Sequence, residues 1–244
     1  MNDQSDSDLR KEAEDWLASN FPKLFDLYQQ SNKDHPKNYF NFKELFPIGY
    51  LGAPAYREIE QILSRLDSVA WGRLSKKAIA CVTADNPTRR YNQLFEAFNE
   101  ARGYTYLLDD GYAKIEFIED RTGRSPDLLA KKVGSTALLE VKTLNQSDAD
   151  IRNESLRKNE AIEVGPILSD KFKTRIKRSI RGARMQFERC RHLAGRKIVF
   201  LFIEMEASQR TCGESYAQLK SFIANQHTEG LEVVGQAWPM MQRF

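Results

Sequence analysis

The sequence predicts an α/β protein that carries a helical N-terminal region. In the first part of the chain, apolar side chains recur every three or four residues, which is the period of an amphipathic helix. From residue 90 the pattern changes to helix, three strands, helix, strand, helix, strand. A turn signal at residues 85–88 (DNPT) separates the two patterns. We therefore predict a helical region over residues 1–85 and an α/β domain over residues 86–244.

Two stretches of the N-terminal region have helical periodicity. Residues 8–30 place large apolar side chains at helical spacing, and Pro22 stands where such a helix can divide into two. After a polar segment, residues 55–83 repeat the same period. Both stretches have one apolar face, so we expect them to pack together as helices.

The α/β region begins with a short helix and a group of strands. A helix over 90–102 is expected to end at Gly103, and extended patterns follow near 104–107 and 112–118. The segment 125–144 divides at residues 132–136 into two short strands, for which a hairpin is the natural connection.

The remaining predicted elements follow a long polar segment. Residues 145–165 are too long and too polar for an ordinary structural loop, and we expect them to be mobile or to become ordered on a partner. A basic amphipathic helix near 169–194, a buried strand over 197–205, a helix near 214–226 and a last strand over 231–236 complete the domain.

Composition and local signals narrow the class of protein. The three cysteines are scattered and odd in number, which argues against a disulfide framework and a zinc ribbon. The first residues are polar and acidic, unlike a secretion signal. The strongest apolar run, residues 198–203, is far shorter than the roughly 20 residues that a membrane-spanning helix needs. We expect a cytoplasmic protein with no membrane segment.

Charged residues interrupt the apolar hairpin segment in a regular way. If residues 137–144 form a strand, alternation places Glu140 and Lys142 on one face, and Asp127 leads the neighbouring strand on the same side. Adjacent carboxylates repel each other and lose hydration when buried, so they persist most readily around a cation. Oxygen ligands of this type suit Mg²⁺, with Mn²⁺ as a substitute. An exposed cross-strand charge pattern is the alternative interpretation.

The same residues resemble the PD-(D/E)XK nuclease superfamily. Pro126-Asp127 matches the "PD" element and Glu140-Val141-Lys142 matches the "(D/E)XK" element, in the right order along the chain. The resemblance implies a restriction-endonuclease-like core (α-β-β-β-α-β) over about residues 90–205. It also implies that Asp127, Glu140 and the backbone carbonyl of Val141 hold the metal, and that Lys142 is catalytic. A metal-dependent nuclease that hydrolyses phosphodiester bonds in DNA is the function that follows from it.

Many members of this superfamily also carry a glutamate on the helix before the first strand. Glu96 and Glu100 stand four residues apart on the predicted helix at 90–102 and are the candidates. Glu96 follows the apolar Phe95, as the family glutamate often does, and is the preferred candidate. Solvated surface positions are the alternative for both.

The helix near 169–194 is strongly basic. Between residues 170 and 197 there are 11 Lys and Arg residues against two acidic ones, whereas the whole chain has a net charge of only +3. An apolar stripe that includes Ile176, Ile180 and Phe187 predicts one buried face, which leaves the basic side chains to contact a phosphate backbone. The candidate nucleic-acid-binding residues are Lys171, Lys173, Arg175, Lys177, Arg178, Arg181 and Arg184. Gln186 joins them through a partial resemblance to the Q-x-x-x-Y motif of RecB-like nucleases, with Cys190 in place of the tyrosine.

The resemblance leaves several functions open. DNA is the expected substrate and RNA is the alternative, and a restriction or defence endonuclease acting as a homodimer is the favoured member of the class. One rival is a non-catalytic nucleic-acid-binding or assembly module on the same fold. Another is the nuclease subunit of a repair or junction-processing complex, with a partner protein bound to the N-terminal helical region.

Overall fold

The structure of the chain is a computed structural model. It describes residues 3–32, 35, 37–40, 54–83, 91–118, 125–144, 170–193, 195–205 and 213–239. The chain divides into two compact units, residues 1–105 and residues 106–243. The predicted boundary at residues 85–88 and the polar segment 145–165 lie outside the described residues.

In the described residues of the first unit, four helices are followed by most of a fifth. Their bounds are α1 Asp3–Asn20, α2 Pro22–Gln30, α3 Pro54–Ser64, α4 Ser68–Ala80 and α5 Asn92–Asp109. The predicted helical stretch 8–30 divides before Pro22, as expected, because proline is favoured in the first turn of a helix and α2 begins with it. The stretch 55–83 also divides in two, because the Asp67 carboxylate accepts a hydrogen bond of 2.8 Å from the Ala70 N–H and starts a new helix there.

A buried carboxylate holds the start of α2. Glu60, on α3, is only 6% exposed. Its two oxygens accept hydrogen bonds from the backbone N–H groups of Lys23 (2.9 Å) and Leu24 (3.0 Å). Ser64 donates a further hydrogen bond of 3.1 Å to the Glu60 carboxylate. Glu60 therefore supplies the N-terminal cap that the residue before α2, Phe21, lacks.

The predicted end of the helix at Gly103 is wrong. Helix α5 continues through Gly103 to Asp109, and the extended pattern expected at 104–107 belongs to this helix. Tyr104 and Leu107 are buried there, and the Tyr104 hydroxyl donates to the Asp67 carboxylate at 3.1 Å. The packing gained along the helix outweighs the roughly 1 kcal/mol by which an internal glycine disfavours it.

The second unit is built on a five-stranded mixed sheet. The strands are β1 Lys114–Phe117, β2 Leu128–Lys132, β3 Ser135–Leu144, β4 Arg196–Met205 and β5 Glu232–Pro239, in the spatial order β1-β2-β3-β4-β5. The pairs β1·β2 and β2·β3 are antiparallel, whereas β3·β4 and β4·β5 are parallel. Helices α6 Asp170–Arg189 and α7 Gly213–Ala224 make the crossovers between the parallel strands. The α/β class is confirmed.

Two glycines permit tight backbone geometry at the same end of the sheet. Gly134 turns the β2–β3 hairpin with a φ of +70°, a conformation that other residues rarely adopt. Gly195 begins the approach of β4 to β3, and a Cβ atom there would lie 2.3 Å from the carbonyl oxygen of Thr136. The hairpin predicted within 125–144 is confirmed, with its turn at Val133 and Gly134.

Helices α6 and α7 cover one face of the sheet. The apolar stripe of α6, which includes Ile176, Ile180, Ala183 and Phe187, packs with Leu138 and Leu144 of β3 and Val199 of β4 in one buried cluster. On the opposite face, the ring of Tyr106 packs on Phe200 with centroids 5.4 Å apart. Among the described helices, none is both long and apolar enough to cross a membrane.

Candidate functional site

The candidate site lies where β2 begins beside the middle of β3. Leu128 pairs with Leu139 and Leu129 pairs with Leu138, so the same register continued by one residue sets Asp127 opposite Glu140. Strand alternation places Asp127, Glu140 and Lys142 on the face of Leu138, which is the face that α6 covers. The sheet thus brings together the three residues that the sequence motif joins.

Asp127 is held by the backbone of β3. One oxygen of its carboxylate (Oδ2) accepts a hydrogen bond of 2.7 Å from the N–H of Val141. The N–H and C=O of a strand residue point to the same neighbour, so the Val141 carbonyl also faces the side of β2. The register continued by two residues sets Pro126 opposite Val141, and proline has no N–H to offer this carbonyl. The Pro126-Asp127 pair therefore orients a carboxylate and leaves a carbonyl oxygen without a donor from the facing residue.

Glu140 is the most deeply buried ionisable group of the site. Its side chain is 2% exposed, and one oxygen (Oε1) accepts a hydrogen bond from the ammonium of Lys142. The second oxygen (Oε2) is buried and has no hydrogen-bond partner among the residues that the structure describes. A buried carboxylate oxygen without a partner is costly, so this atom is the strongest indication that the site receives a ligand.

The electrostatics of the site centre on Glu140. The pKa of its carboxyl is raised to about 7, mainly by burial and then by the neighbouring Asp127 carboxylate, while Lys142 and Gln186 oppose the shift. The attraction of the one ammonium group is therefore insufficient to offset desolvation and the second carboxylate. Two carboxylates beside a single ammonium group would be stabilised by a further positive charge, such as that of a metal ion.

Gln186 connects α6 to the site. Its side-chain amide donates to the backbone carbonyl of Ser125 at 3.1 Å and also stabilises the ionised form of Glu140. The partial motif on the basic helix thus pointed to a residue that the structure places close to Glu140. Ser125 was absent from the predicted site, because its contribution is a backbone carbonyl that no side-chain pattern reveals.

The donor set fits a magnesium-type cation. Asp127, Glu140 and the Val141 carbonyl supply oxygen atoms only, which Mg²⁺ and Mn²⁺ prefer, and Mg²⁺ usually keeps several waters besides one or two carboxylates. In the described part of the chain, no group of three or more His, Cys, Asp or Glu side chains could hold a metal ion. The candidate ligand set is therefore two carboxylates and a carbonyl.

The two glutamates proposed on the helix before β1 lie in the first unit. Glu96 is exposed, and its charge acts on the thiol of Cys81, whose pKa is raised mainly by burial. Glu100 is buried and forms an ion pair with Lys77 of α4. Asp127, Glu140 and Lys142 belong to the second unit. Glu100 thus contacts α4, and the charges of both glutamates act on Cys81, which caps the C-terminal end of that helix.

The basic residues of α6 differ in whether their side chains contact other groups of the protein. Lys171, Arg178 and Arg181 are exposed to solvent. Lys177 lies over the ring of Phe222 with its nitrogen 5.9 Å from the centroid, and Arg184 donates to the Thr228 hydroxyl at 2.8 Å. These two side chains thus extend towards α7 and the segment that follows it.

Two further basic residues of α6 have local partners. Lys173 pairs with Asp170 at 3.3 Å, and Arg175 lies 5.9 Å from the centroid of the Phe172 ring. Among the seven predicted contact residues, Lys171, Arg178 and Arg181 are thus the ones whose outward exposure best suits a phosphate backbone.

Comparison of the chain with protein-family models, with curated proteins and with solved structures finds no significant match in any of the three.

Proposed function

We propose that the protein is a metal-dependent nuclease that hydrolyses phosphodiester bonds in DNA through Asp127, Glu140 and Lys142. The observation that carries the proposal is the buried Oε2 of Glu140, which has no partner in the described residues and lies in a site whose other carboxylate is directly adjacent. A surface charge pattern would leave both carboxylates hydrated. The order of helix and strands from α5 to β4 also agrees with the core that the sequence resemblance implies.

Asp127, Glu140 and the Val141 carbonyl are the groups that would hold the metal. Bound there, the ion would act as a Lewis acid and accept substrate phosphate oxygens. The hydrogen bond from the Val141 N–H fixes the Asp127 carboxylate before substrate arrives. The Gln186 amide, which donates to the Ser125 carbonyl, also favours the ionised form of Glu140. Such contacts around metal-binding side chains hold them in position, so the carboxylates need not rearrange when the metal binds.

Lys142 is the positively charged side chain among the three proposed site residues. Its ammonium is held by Glu140 and is about 29% exposed, so it can reach both the site and an incoming phosphodiester. In the hydrolysis, the oxygen of a water attacks phosphorus and loses a proton to solvent, while negative charge grows on the phosphoryl oxygens. The bond to the leaving oxygen breaks, and that oxygen takes up a proton from solvent. We assign Lys142 to hold the attacking water and to stabilise that charge.

The outer face of α6 supports a nucleic-acid substrate. Its exposed basic residues stand on the same helix as Gln186, so backbone contacts and the candidate reaction centre share one rigid element. Such contacts release counterions and make binding dependent on salt. A restriction or defence endonuclease acting on DNA as a homodimer is the narrower proposal, and RNA is the alternative substrate.

The test is cleavage of supercoiled and linear plasmid DNA with and without Mg²⁺. We expect metal-dependent cutting by the wild-type chain, none by Asp127→Ala or Lys142→Ala, and unchanged cutting by the exposed controls Glu229→Gln and Lys76→Ala. Discrete bands would identify a sequence-specific enzyme. Absence of cutting on duplex, branched and single-stranded DNA and on RNA, with binding retained by both site variants, would replace this proposal by a non-catalytic binding module.

A further inference from the structure

Two lysines face each other across the antiparallel strands β1 and β2. Lys114 pairs directly with Lys131, and both side chains are exposed. Directly opposed residues on an antiparallel pair have Cβ atoms about 5 Å apart, and like charges at this spacing destabilise the sheet. The fold therefore retains a pair of positive charges where a neutral or opposite pair would be more favourable.

The two lysines have no acidic partner among the residues that the structure describes. Neither Lys114 nor Lys131 forms an ion pair with any residue that the structure describes. Glu116 is the diagonal neighbour on the same face, opposite Leu129, and is itself exposed without such a pair. Lys132 differs, because it points to the other face, donates to the Asp110 carbonyl at 2.9 Å and lies over the Tyr112 ring. Lys132 thus has a structural role, whereas the ammonium groups of Lys114 and Lys131 have no ion-pair partner among the described residues.

The lysine pair lies on the same face of the sheet as the candidate site. Asp127, Leu129 and Lys131 alternate with residues that point to the opposite face, so the two features share the face of Glu140. Four residues of extended chain separate Asp127 from Lys131, which is roughly 13 Å. Each B-DNA step combines the 3.4 Å rise along the axis with a rotation about it, so neighbouring phosphates of one strand lie roughly 7 Å apart and this distance corresponds to about two steps.

We propose that Lys114 and Lys131 form a second phosphate-binding point for the nucleic-acid backbone, about two nucleotides from the phosphodiester that lies at Asp127, Glu140 and Lys142. The proposal rests on the proposed function for its substrate class. It adds a contact on the strands β1 and β2 to those expected from helix α6. A phosphate between the two ammonium groups would remove the repulsion that the free protein tolerates.

The experiment measures binding of a labelled mixed-sequence duplex and of its single strand to the full chain in EDTA, where metal-dependent cutting cannot occur. We expect Lys114→Ala/Lys131→Ala to bind on the order of tenfold more weakly at low salt. Between about 50 and 200 mM salt, the slope of log K against log salt should become shallower by about one to two. Lys76→Ala, an exposed lysine of α4, is the matched control and should leave both quantities unchanged.

A second variant separates binding from folding. Lys114→Glu converts the opposed pair into an attractive one, so we expect Tm to rise by about 2 °C while nucleic-acid affinity falls. Wild-type affinity in the double alanine variant would overturn the proposal, as would a fall in Tm for Lys114→Glu. Plasmid cutting is measured separately. If binding depends on the two lysines but no cutting occurs, the proposed hydrolysis is wrong and the proposed phosphate-binding point is still supported.

Discussion

Glu60 in the first unit and Glu140 in the second are both buried, but their surroundings are opposite. Glu60 is 6% exposed and receives hydrogen bonds on both oxygens, two of them from backbone N–H groups at the start of α2. Glu140 is 2% exposed, has an ammonium on one oxygen and leaves the other without a partner in the described residues. Burial alone therefore does not identify a functional carboxylate. The difference lies in whether the protein itself completes the hydrogen bonding.

The largest contrast is expected in catalysis. Glu140→Gln should lower plasmid cleavage by about 10³-fold, because a metal ligand and the holder of Lys142 are lost together. Glu60→Gln should keep its cleavage rate per folded molecule, because its contacts are confined to α2 and α3. Rates are measured at equal concentrations of folded protein. An equal loss of cleavage in both variants would contradict the assignment of Glu140, and not Glu60, to the reaction.

The second contrast is expected in metal-dependent stability. Saturating Mg²⁺ should raise the Tm of the wild-type chain by about 3 to 6 °C through preferential binding to the folded state. Glu60→Gln should start from a lower Tm and show the same increase. Glu140→Gln and Asp127→Ala should show none. Thermal unfolding with Mg²⁺ or EDTA checks this, and an increase that persists in Asp127→Ala would locate the metal elsewhere.

The third contrast is expected in the pH dependence of stability. The folded pKa of Glu140, about 7, lies above its ordinary value of 4.5, so the folded state holds the proton more tightly. Its contribution to stability is complete below pH 4.5 and is lost as pH rises to about 7, by up to about 3 kcal/mol.

Denaturant unfolding from pH 4 to 8 without metal checks this contribution. The stability of the wild type relative to Glu140→Gln should fall across that window, so that Glu140→Gln is the more stable protein at pH 8. Glu60→Gln should instead be less stable than wild type at pH 8, by about 2 kcal/mol, because two N–H groups lose a charged acceptor. Parallel curves for wild type and Glu140→Gln would contradict the assignment.

The smallest effect is expected at Gln186. Gln186→Ala should reduce cleavage by about tenfold through misplacement of Glu140, since contacts of this kind position a ligand rather than react. The loss should depend on pH, because Gln186 favours the ionised form of Glu140. Gln226→Ala is the matched control, as Gln226 also donates to a backbone carbonyl, that of Phe222 at 3.1 Å. A pH-independent loss would indicate a purely structural role.

The sequence predicted most elements of the second unit, because strands and helices impose different apolar periods. The hairpin at Val133 and Gly134, the basic helix and the two parallel strands all follow from local patterns. The predicted end of helix α5 at Gly103 is too early, because a glycine weakens a helix locally and the sequence does not reveal the burial of Tyr104. The division between α3 and α4 was likewise missed, although Asp67 is a cap residue that could have indicated it.

By itself, the sequence determined which residues could share a face: alternation joins Glu140 to Lys142, and helical spacing joins Ile176 to Ile180. Only the tertiary structure decided what each charge meets. It left one oxygen of Glu140 without a described partner, turned Arg184 towards Thr228 and set Lys114 opposite Lys131. The physical reason is that periodicity is a property of one segment, whereas desolvation and pairing depend on atoms that distant segments bring together.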